Sequence, residues 1–478
     1  MIEALRLRDT GDFAGSARVL RAYLALNPLD PEAARLLAET LYWLNDVEGA
    51  GEVYAAALVK HPDDSSLRLR YGRMLMETGH RARARELLMP LREVADARAE
   101  ADALLGTIAY WDGDLTAAQR LFRAALRDNP DQAEARRQLQ EIRVLSAPWV
   151  RAGSALRHDD QPLDRVALGL EAGWFATPLL PVTVRVEPMT FRRADSATRR
   201  LLTAELSVAH FAPALRLETE VAGGVVQRAG VIDAHDWQGR AVVGVRLSPH
   251  VTLRGRAERA PYLFTTSSLD TPIMTHTAAA QVHWSDPRGW LGEARYQRQR
   301  YPDANTVRTA YAWVLGPLIH QGRRQLQAGY AFADADAAAS RFVLADASQR
   351  VPPDDPRFNT AGRYVPYYTP SQVVSHSAIA ALTLRPSSAS TFRAGGSFGV
   401  RATDQAPTLV VSAGQVQRVL VARTFTPWDA RSSLDIALRS GLTLTATGET
   451  GRTVFYSWAT AGLQITYRFA HATRPDPR

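Results

Sequence analysis

The spacing of apolar positions divides this chain in two. Up to Leu145 they recur every three to four residues, the period of a helix with one buried stripe. From Trp149 to Phe469 they recur every second residue, the period of a strand with one oily and one wet face. Ser146-Ala147-Pro148 marks the switch. Beyond it, Val182, Val184 and Val186 alternate with Thr183, Arg185 and Glu187, and Leu202, Ala204, Leu206 and Val208 with Thr203, Glu205 and Ser207. Leu215, Leu217 and Val221 alternate with Arg216, Glu218 and Glu220, and Val251, Leu253 and Ala257 with Arg254, Arg256 and Glu258. Leu434, Ile436 and Leu438 alternate with Asp435 and Arg439, and Leu463, Ile465, Tyr467 and Phe469 with Gln464, Thr466 and Arg468. The pattern predicts about sixteen strands between Trp149 and Phe469, each long enough for the roughly 9–11 residues that cross a bilayer at a tilt.

In the helical part, Gly11, Asn45, Gly79 and Gly113 stand at intervals of 34, and Pro28, Pro62 and Pro130 fall on a second lattice of that period, with Asp96 at the site lacking its proline. Thirty-four residues is the tetratricopeptide period, one helix–turn–helix per repeat. The clearest copy is Ala101–Pro130: Gly106 for close approach of two helices, Gly113-Asp114 for the turn, Ala118, Phe122 and Ala125 for the seam, Pro130 to end the second helix. Ala133–Leu145 reads as a capping helix. The expected fold is therefore multidomain: an all-α tetratricopeptide solenoid over 1–145, an antiparallel transmembrane β-barrel over 149–469, and a tail over 470–478. In this frame Met1 falls inside the first helix of repeat one, so an export signal is expected upstream.

The connections between strands sharpen the barrel reading. Short ones (Ala176–Leu180, Ala212–Pro213, Pro249–His250, Asp286–Gly289, Gln321–Arg323, Ser387–Ala389, Gly441) alternate with longer ones (Asp159–Leu163, Arg192–Thr198, Ala229–His235, Tyr262–Pro272, Asp303–Asn305, Ala338–Gln372, Asp404–Gln417). Outer-membrane barrels sort short turns to the periplasmic side and long loops outside. An even strand number then puts both barrel ends, and the repeats, in the periplasm. Trp174, Trp284, Trp290, Trp313, Trp428, Trp458, Tyr296 and Tyr467 lie mostly near strand ends, where aromatic girdles sit. Sixteen strands leave room for an aqueous channel. Its expected lining is Arg185, Glu187, Glu205, Arg216, Glu218, Glu220, Arg254, Arg256, Glu258, Asp435 and Arg439. For most of these residues taken singly, structural charge pairing is the better explanation; the expectation concerns the ring and not its members.

Composition removes other classes. The chain of 478 residues has no cysteine, hence no disulfide or thiolate metal site. Its net charge of +8 comes from interspersed Arg and Glu, so no nucleic-acid partner is expected. Gly395-Gly396-Ser397-Phe398-Gly399 matches G-x-S-x-G inside an alternating strand, without the strand-to-helix turn that exposes a nucleophile. The eleven histidines form no metal motif, and no cofactor or enzymatic activity is expected.

The connection Ala338–Gln372 is proline-rich and long enough to serve as a lid, with Tyr364, Tyr367, Tyr368 and Pro370 as gate candidates whose rings suit apolar sugar faces. A plain surface loop would carry the same composition. Tyr367-Tyr368-Thr369-Pro370-Ser371-Gln372, placed before a strand, resembles a stretch in the C-terminal barrel of cellulose synthase operon protein C, with Thr369 and Ser371 as departures. Repeats followed by a barrel are also similar to the export porin for poly-N-acetylglucosamine. The resemblance implies a periplasmic scaffold feeding an outer-membrane pore. Its implied partners are a secreted polysaccharide, periplasmic or inner-membrane synthase components held by the repeats, and outer-membrane lipid.

Overall fold

The computed structural model describes residues 1–160, 163–193, 198–229, 233–344, 362–412, 415–439, 441–454 and 456–469. The chain forms two compact units, Met1–Leu145 and Ser146–Arg478. The expected tail over 470–478 lies outside the described residues.

The first unit consists, among the described residues, of α1 (Ile2–Asp9), α2 (Phe13–Leu26), α3 (Pro31–Trp43), α4 (Val47–Lys60), α5 (Ser65–Glu77), α6 (Arg81–Leu88), a 3-10 turn (Met89–Glu93), α7 (Ala95–Trp111), α8 (Leu115–Asp128) and α9 (Ala133–Leu145). The 34-residue lattice has a backbone cause. Gly11, Asn45, Gly79 and Gly113 all turn the chain at positive φ, 81°, 64°, 86° and 82°, a region closed to most side chains. After three of these turns comes an aspartate. Asp12, Asp46 and Asp114 each accept a hydrogen bond from the N–H three residues on, capping α2, α4 and α8. The seam is close-packed: a Cβ on Gly106 would sit 2.6 Å from Phe122, and Phe122, Ala118 and Ala125 are fully buried.

The second unit is one antiparallel sheet closed on itself. Its strands are β1 (Trp149–Asp159), β2 (Leu163–Thr177), β3 (Leu180–Arg193), β4 (Thr198–Ala212), β5 (Leu217–Ala229), β6 (Ala234–Arg246), β7 (Val251–Pro261), β8 (Met274–Ser285), β9 (Leu291–Arg300), β10 (Thr306–Gln321) and β11 (Arg324–Ala337). A small hairpin, β12 (Phe342–Leu344) and β13 (Gly362–Tyr364), precedes β14 (Val373–Ser387), β15 (Ser390–Ser412), β16 (Gln415–Phe425), β17 (Trp428–Arg439), β18 (Leu442–Arg452) and β19 (Ser457–Arg468). β1 pairs with both β2 and β19, which closes the wall. β16 and β17 pair with successive parts of β15, so they are two halves of one strand interrupted at Thr426-Pro427, and the barrel is sixteen-stranded.

Trp149 pairs with Arg468, so the chain enters and leaves the barrel at one rim. Connections at this terminal rim span two to five residues. At the opposite, loop rim most are equally short, and only 262–273 and 338–372 are long. The expected loop Asp404–Gln417 is instead strand over 404–412 and 415–417. β15 runs on to Ser412 and pairs Pro407 with Leu420 of β16. A proline usually demotes a strand, but β14 pairs with β15 only as far as Thr403, so Pro407 lies on a free edge where its missing N–H costs no ladder bond.

Candidate pore and loop latch

Register decides which side chains share a face. Arg185 pairs with Glu205, Glu205 with Gly224, Glu220 with Val242, and Val242 with Arg256. On this same face near the loop rim, Leu163, Phe191, Leu201 and Val226 gather against Leu269 of the 262–273 connection. That connection springs from β7 and β8, so it meets β2–β5 by crossing the barrel mouth. The charged face is therefore the inner one. The opposite face carries Leu156, Leu168, Leu170, Leu206, Val221, Val225, Val282, Leu463 and Ile465, all exposed.

Of the expected lining, Arg185, Glu187, Glu205, Glu218, Glu220, Arg254, Arg256, Glu258 and Asp435 fall on the inner face by register. The other two stand at the terminal rim. Arg216 sits in a turn with φ 51° after a short 3-10 segment that also takes Leu215 out of the strand, because Pro213 starts that segment. Arg439 ends β17 beyond a register shift, at the terminal rim.

The inner charges neutralise one another across strands. Arg185 reaches Glu171 at 3.3 Å, Arg151 reaches the same carboxylate at 3.0 Å, and Arg240 joins Glu205 at 3.3 Å and Glu220 at 2.5 Å. Arg254–Glu218 (3.2 Å) and Arg393–Asp435 (2.5 Å) extend the pattern, Arg256 pairs with Glu258 of its own strand at 2.6 Å, and Thr445 donates to Asp435. Arg151, Glu171, Arg240 and Arg393 were not among the expected residues. Their signal is the inward parity of β1, β2, β6 and β15. Such a wall offers many exchangeable donors and acceptors, and on the same face Arg157 stands directly opposite Arg165. Ser397 of the G-x-S-x-G match lies in mid-strand and donates to Asp429.

At the loop rim three connections, 262–273, 301–305 and 338–372, interlock. Within 262–273, a short helix α10 (Ser267–Asp270) is tied to the wall: Asp270 pairs with Arg199 of β4 at 2.8 Å, and Arg228 of β5 donates to the Ser268 carbonyl at 3.4 Å. The Thr265 hydroxyl donates to the Pro366 carbonyl at 2.6 Å, and the Tyr368 N–H donates to the Tyr262 hydroxyl at 3.2 Å. Tyr367 is 1 % exposed and stacks on Tyr301 with ring centroids 3.6 Å apart. Its hydroxyl donates to Asp303 at 2.7 Å, and Arg341 pairs with the same carboxylate at 2.5 Å. Burial works against the charge on Asp303, yet hydrogen bonds from Tyr367, the Asn305 N–H and Arg341 hold its carboxyl below the usual range. Burial pushes the Tyr262, Tyr301 and Tyr367 hydroxyls up, so they stay protonated.

The expected gate residues are thus inside the assembly. Pro370 is buried and its carbonyl accepts from Ala337, and Tyr364 packs edge-on against Tyr368. The ring face of Tyr367 is taken by Tyr301, which leaves that face closed to a sugar. Residues 345–361 of the expected lid lie outside the described residues. Tyr262, Thr265, Tyr301, Asp303 and Arg341 were not anticipated, since they come from three separate segments with no local pattern. Among the described residues no cluster of metal-binding side chains exists, and no helix is long and apolar enough to cross a membrane.

Two tetratricopeptide-repeat family models match residues 3–65 and 45–108. Residues 3–108 are tetratricopeptide repeats. No curated protein matches the chain. Among solved structures, a bacterial polysaccharide outer membrane secretin is similar at 11 % identity over 68 % of this chain and 99 % of that one, with a TM-score of 0.48. MamA from Desulfovibrio magneticus RS-1 is similar at 23 % identity over 30 % of this chain and 80 % of its own, with a TM-score of 0.27. The type IV pilus biogenesis factor PilW is similar at 19 % identity over 30 % and 66 %, with a TM-score of 0.28. The tetratricopeptide repeats thus precede a closed barrel of sixteen strands in one chain.

Proposed function

We propose that this protein is an outer-membrane pore through which a secreted polysaccharide leaves the cell. The observation that carries the reading is the inversion of the barrel wall: exposed leucines and valines outside, ion-paired Arg and Glu inside. In lipid the outer face needs no cover, and a neutralised inner face gives hydroxyl-rich polymer weak, repeated contacts that permit sliding. Short turns and both barrel ends share the terminal rim, which supports a periplasmic terminal rim. The tetratricopeptide repeats, joined to that rim through Ser146–Pro148, would then lie in the periplasm and recruit synthase components or guide the polymer. A cellulose-like polymer is the finer expectation, from the resemblance at Tyr367–Gln372. The interlocked loops are the gate, opened when Tyr367 leaves Tyr301 and Asp303.

The same latch favours a second reading, a closed barrel that merely anchors the repeat scaffold. Conductance of the full chain in a planar bilayer separates the two, measured beside Tyr367→Ala/Arg341→Ala. The pore reading expects conductance that the double variant raises. Correct insertion with both proteins silent would leave the anchor.

A further inference from the structure

The outer face holds a feature that neither the pore nor the repeats use. Near the loop rim, Arg259 of β7 stands beside His276 of β8, and His276 beside Arg300 of β9. Two residues down β9, Arg298 stands directly opposite Arg308 of β10. Adjacent strands are about 4.8 Å apart, so these five side chains form one patch. Arg259 pairs with Asp236 at 2.7 Å and Arg308 with Asp336 at 3.4 Å. Among the described residues Arg298 and Arg300 make no ion pair, and both are exposed. Like charges opposite each other destabilise a sheet, so the Arg298–Arg308 pair is a cost that a bound anion would lift. Toward the middle of the wall the same face carries Ala257, Ala278, Ala280, Ala294, Ala310 and Ala312 by register, with the exposed ring of Tyr296 standing between Ala280 and Ala310. On β2 and β4 the outer face carries larger groups, such as Leu168, Leu170 and Leu206.

We propose that this patch binds the phosphate groups of an anionic glycolipid in the outer leaflet, with the acyl chains lying over the alanine surface below. The proposal rests on the outer-membrane reading, which places the loop rim outside. Forked guanidinium groups match phosphate oxygens, and a hydrocarbon-facing position forbids a free soluble anion from sharing the lower half of the site. The patch is asymmetric, confined to β7–β10, so one flank of the barrel would carry ordered lipid.

The test uses the full chain refolded into neutral phosphatidylcholine vesicles, with bis-phosphorylated lipid A and its dephosphorylated form as probes. Fluorescently labelled lipid gives the affinity. Wild type should prefer the phosphorylated probe. Arg298→Gln/Arg300→Gln should weaken it by about 25-fold, at roughly fivefold per basic side chain. Arg288→Gln/Arg324→Gln, at the terminal rim, should change it less than about twofold. Equal binding of the two probes, or equal loss in the two variants, would overturn the lipid site while the barrel stays inserted. Failure of wild type to insert into the neutral vesicles would overturn the outer-membrane reading and the lipid site with it.

Discussion

The two units use the same apolar residue types in opposite directions. In the tetratricopeptide unit, Leu20, Tyr54, Leu88, Ile108 and Phe122 are buried and arginine covers the surface. In the barrel, Leu170, Val221, Leu253 and Ile465 are exposed, and arginines such as Arg151, Arg240 and Arg254 turn inward. Water punishes an uncovered apolar group and lipid an uncovered polar one, so each unit hides what its solvent rejects. The contrast fits water around the repeats and, under the proposed pore, lipid around the barrel, and substitutions placed on the two units should test it.

The largest effect belongs to the repeat seam. Phe122→Ala removes a fully buried ring that packs against Gly106, and it should cost about 3–5 kcal/mol. The helical circular dichroism signal should melt early while the barrel stays intact. Joint loss of both units would break the independence on which the comparison stands.

Val221→Arg places a charge on the outer wall of β5. In lipid this should cost about 2–4 kcal/mol near the bilayer midplane and lower the folded fraction after vesicle insertion, read by gel mobility without heating. A water-exposed wall would tolerate the change or gain solubility. That outcome would remove the membrane reading at its root.

The latch comes next. Tyr367→Phe keeps the stacked ring and removes the hydroxyl bond to Asp303, a hydrogen bond to a charged group worth about 1.5 kcal/mol. It should open the barrel more often at neutral pH. Acid should do the same to wild type. The carboxyl of Asp303 is held below its ordinary range, so its stabilisation is complete above the unfolded pKa of about 4 and is lost as pH falls through the lower folded value. Conductance rising only below that range in wild type, and flat in Asp303→Asn, would fit. A rise in both would assign the acid response elsewhere.

Local patterns announced as much of this molecule as local physics decides. The 34-residue lattice was legible because each turn needs a positive φ that glycine or asparagine supplies. The sixteen strands were legible because each face meets a different environment. Asp404–Gln417 misled because Pro407 carries a local signal whose meaning depends on a distant fact, the free edge of β15. The latch escaped for the same reason. Asp303, Arg341 and Tyr367 acquire a relation only once two connections, 301–305 and 338–372, meet at one rim.

The smallest effect is a repair, and it tests whether the repeat unit obeys the water-side rules of its own lattice. Asp12, Asp46 and Asp114 follow their turns and cap the next helix. The third copy has His80 there, with no side-chain cap, and α6 is only eight residues long. The backbone at His80, φ −82° and ψ 50°, is close to that at Asp114, φ −79° and ψ 72°. His80→Asp therefore has the geometry to accept from the N–H of Arg83, against the loss of the Thr78–His80 contact at 3.2 Å. It also puts a negative charge before a helix whose first turn holds no acid. The expected gain is about 1 kcal/mol, a rise of about 3–4 °C in the helical melting transition. His80→Ala should give no such rise. If the aspartate also gives none, the caps at the other three turns are decoration on a unit held by its seam alone, and the lattice reflects the glycine turns rather than the pair.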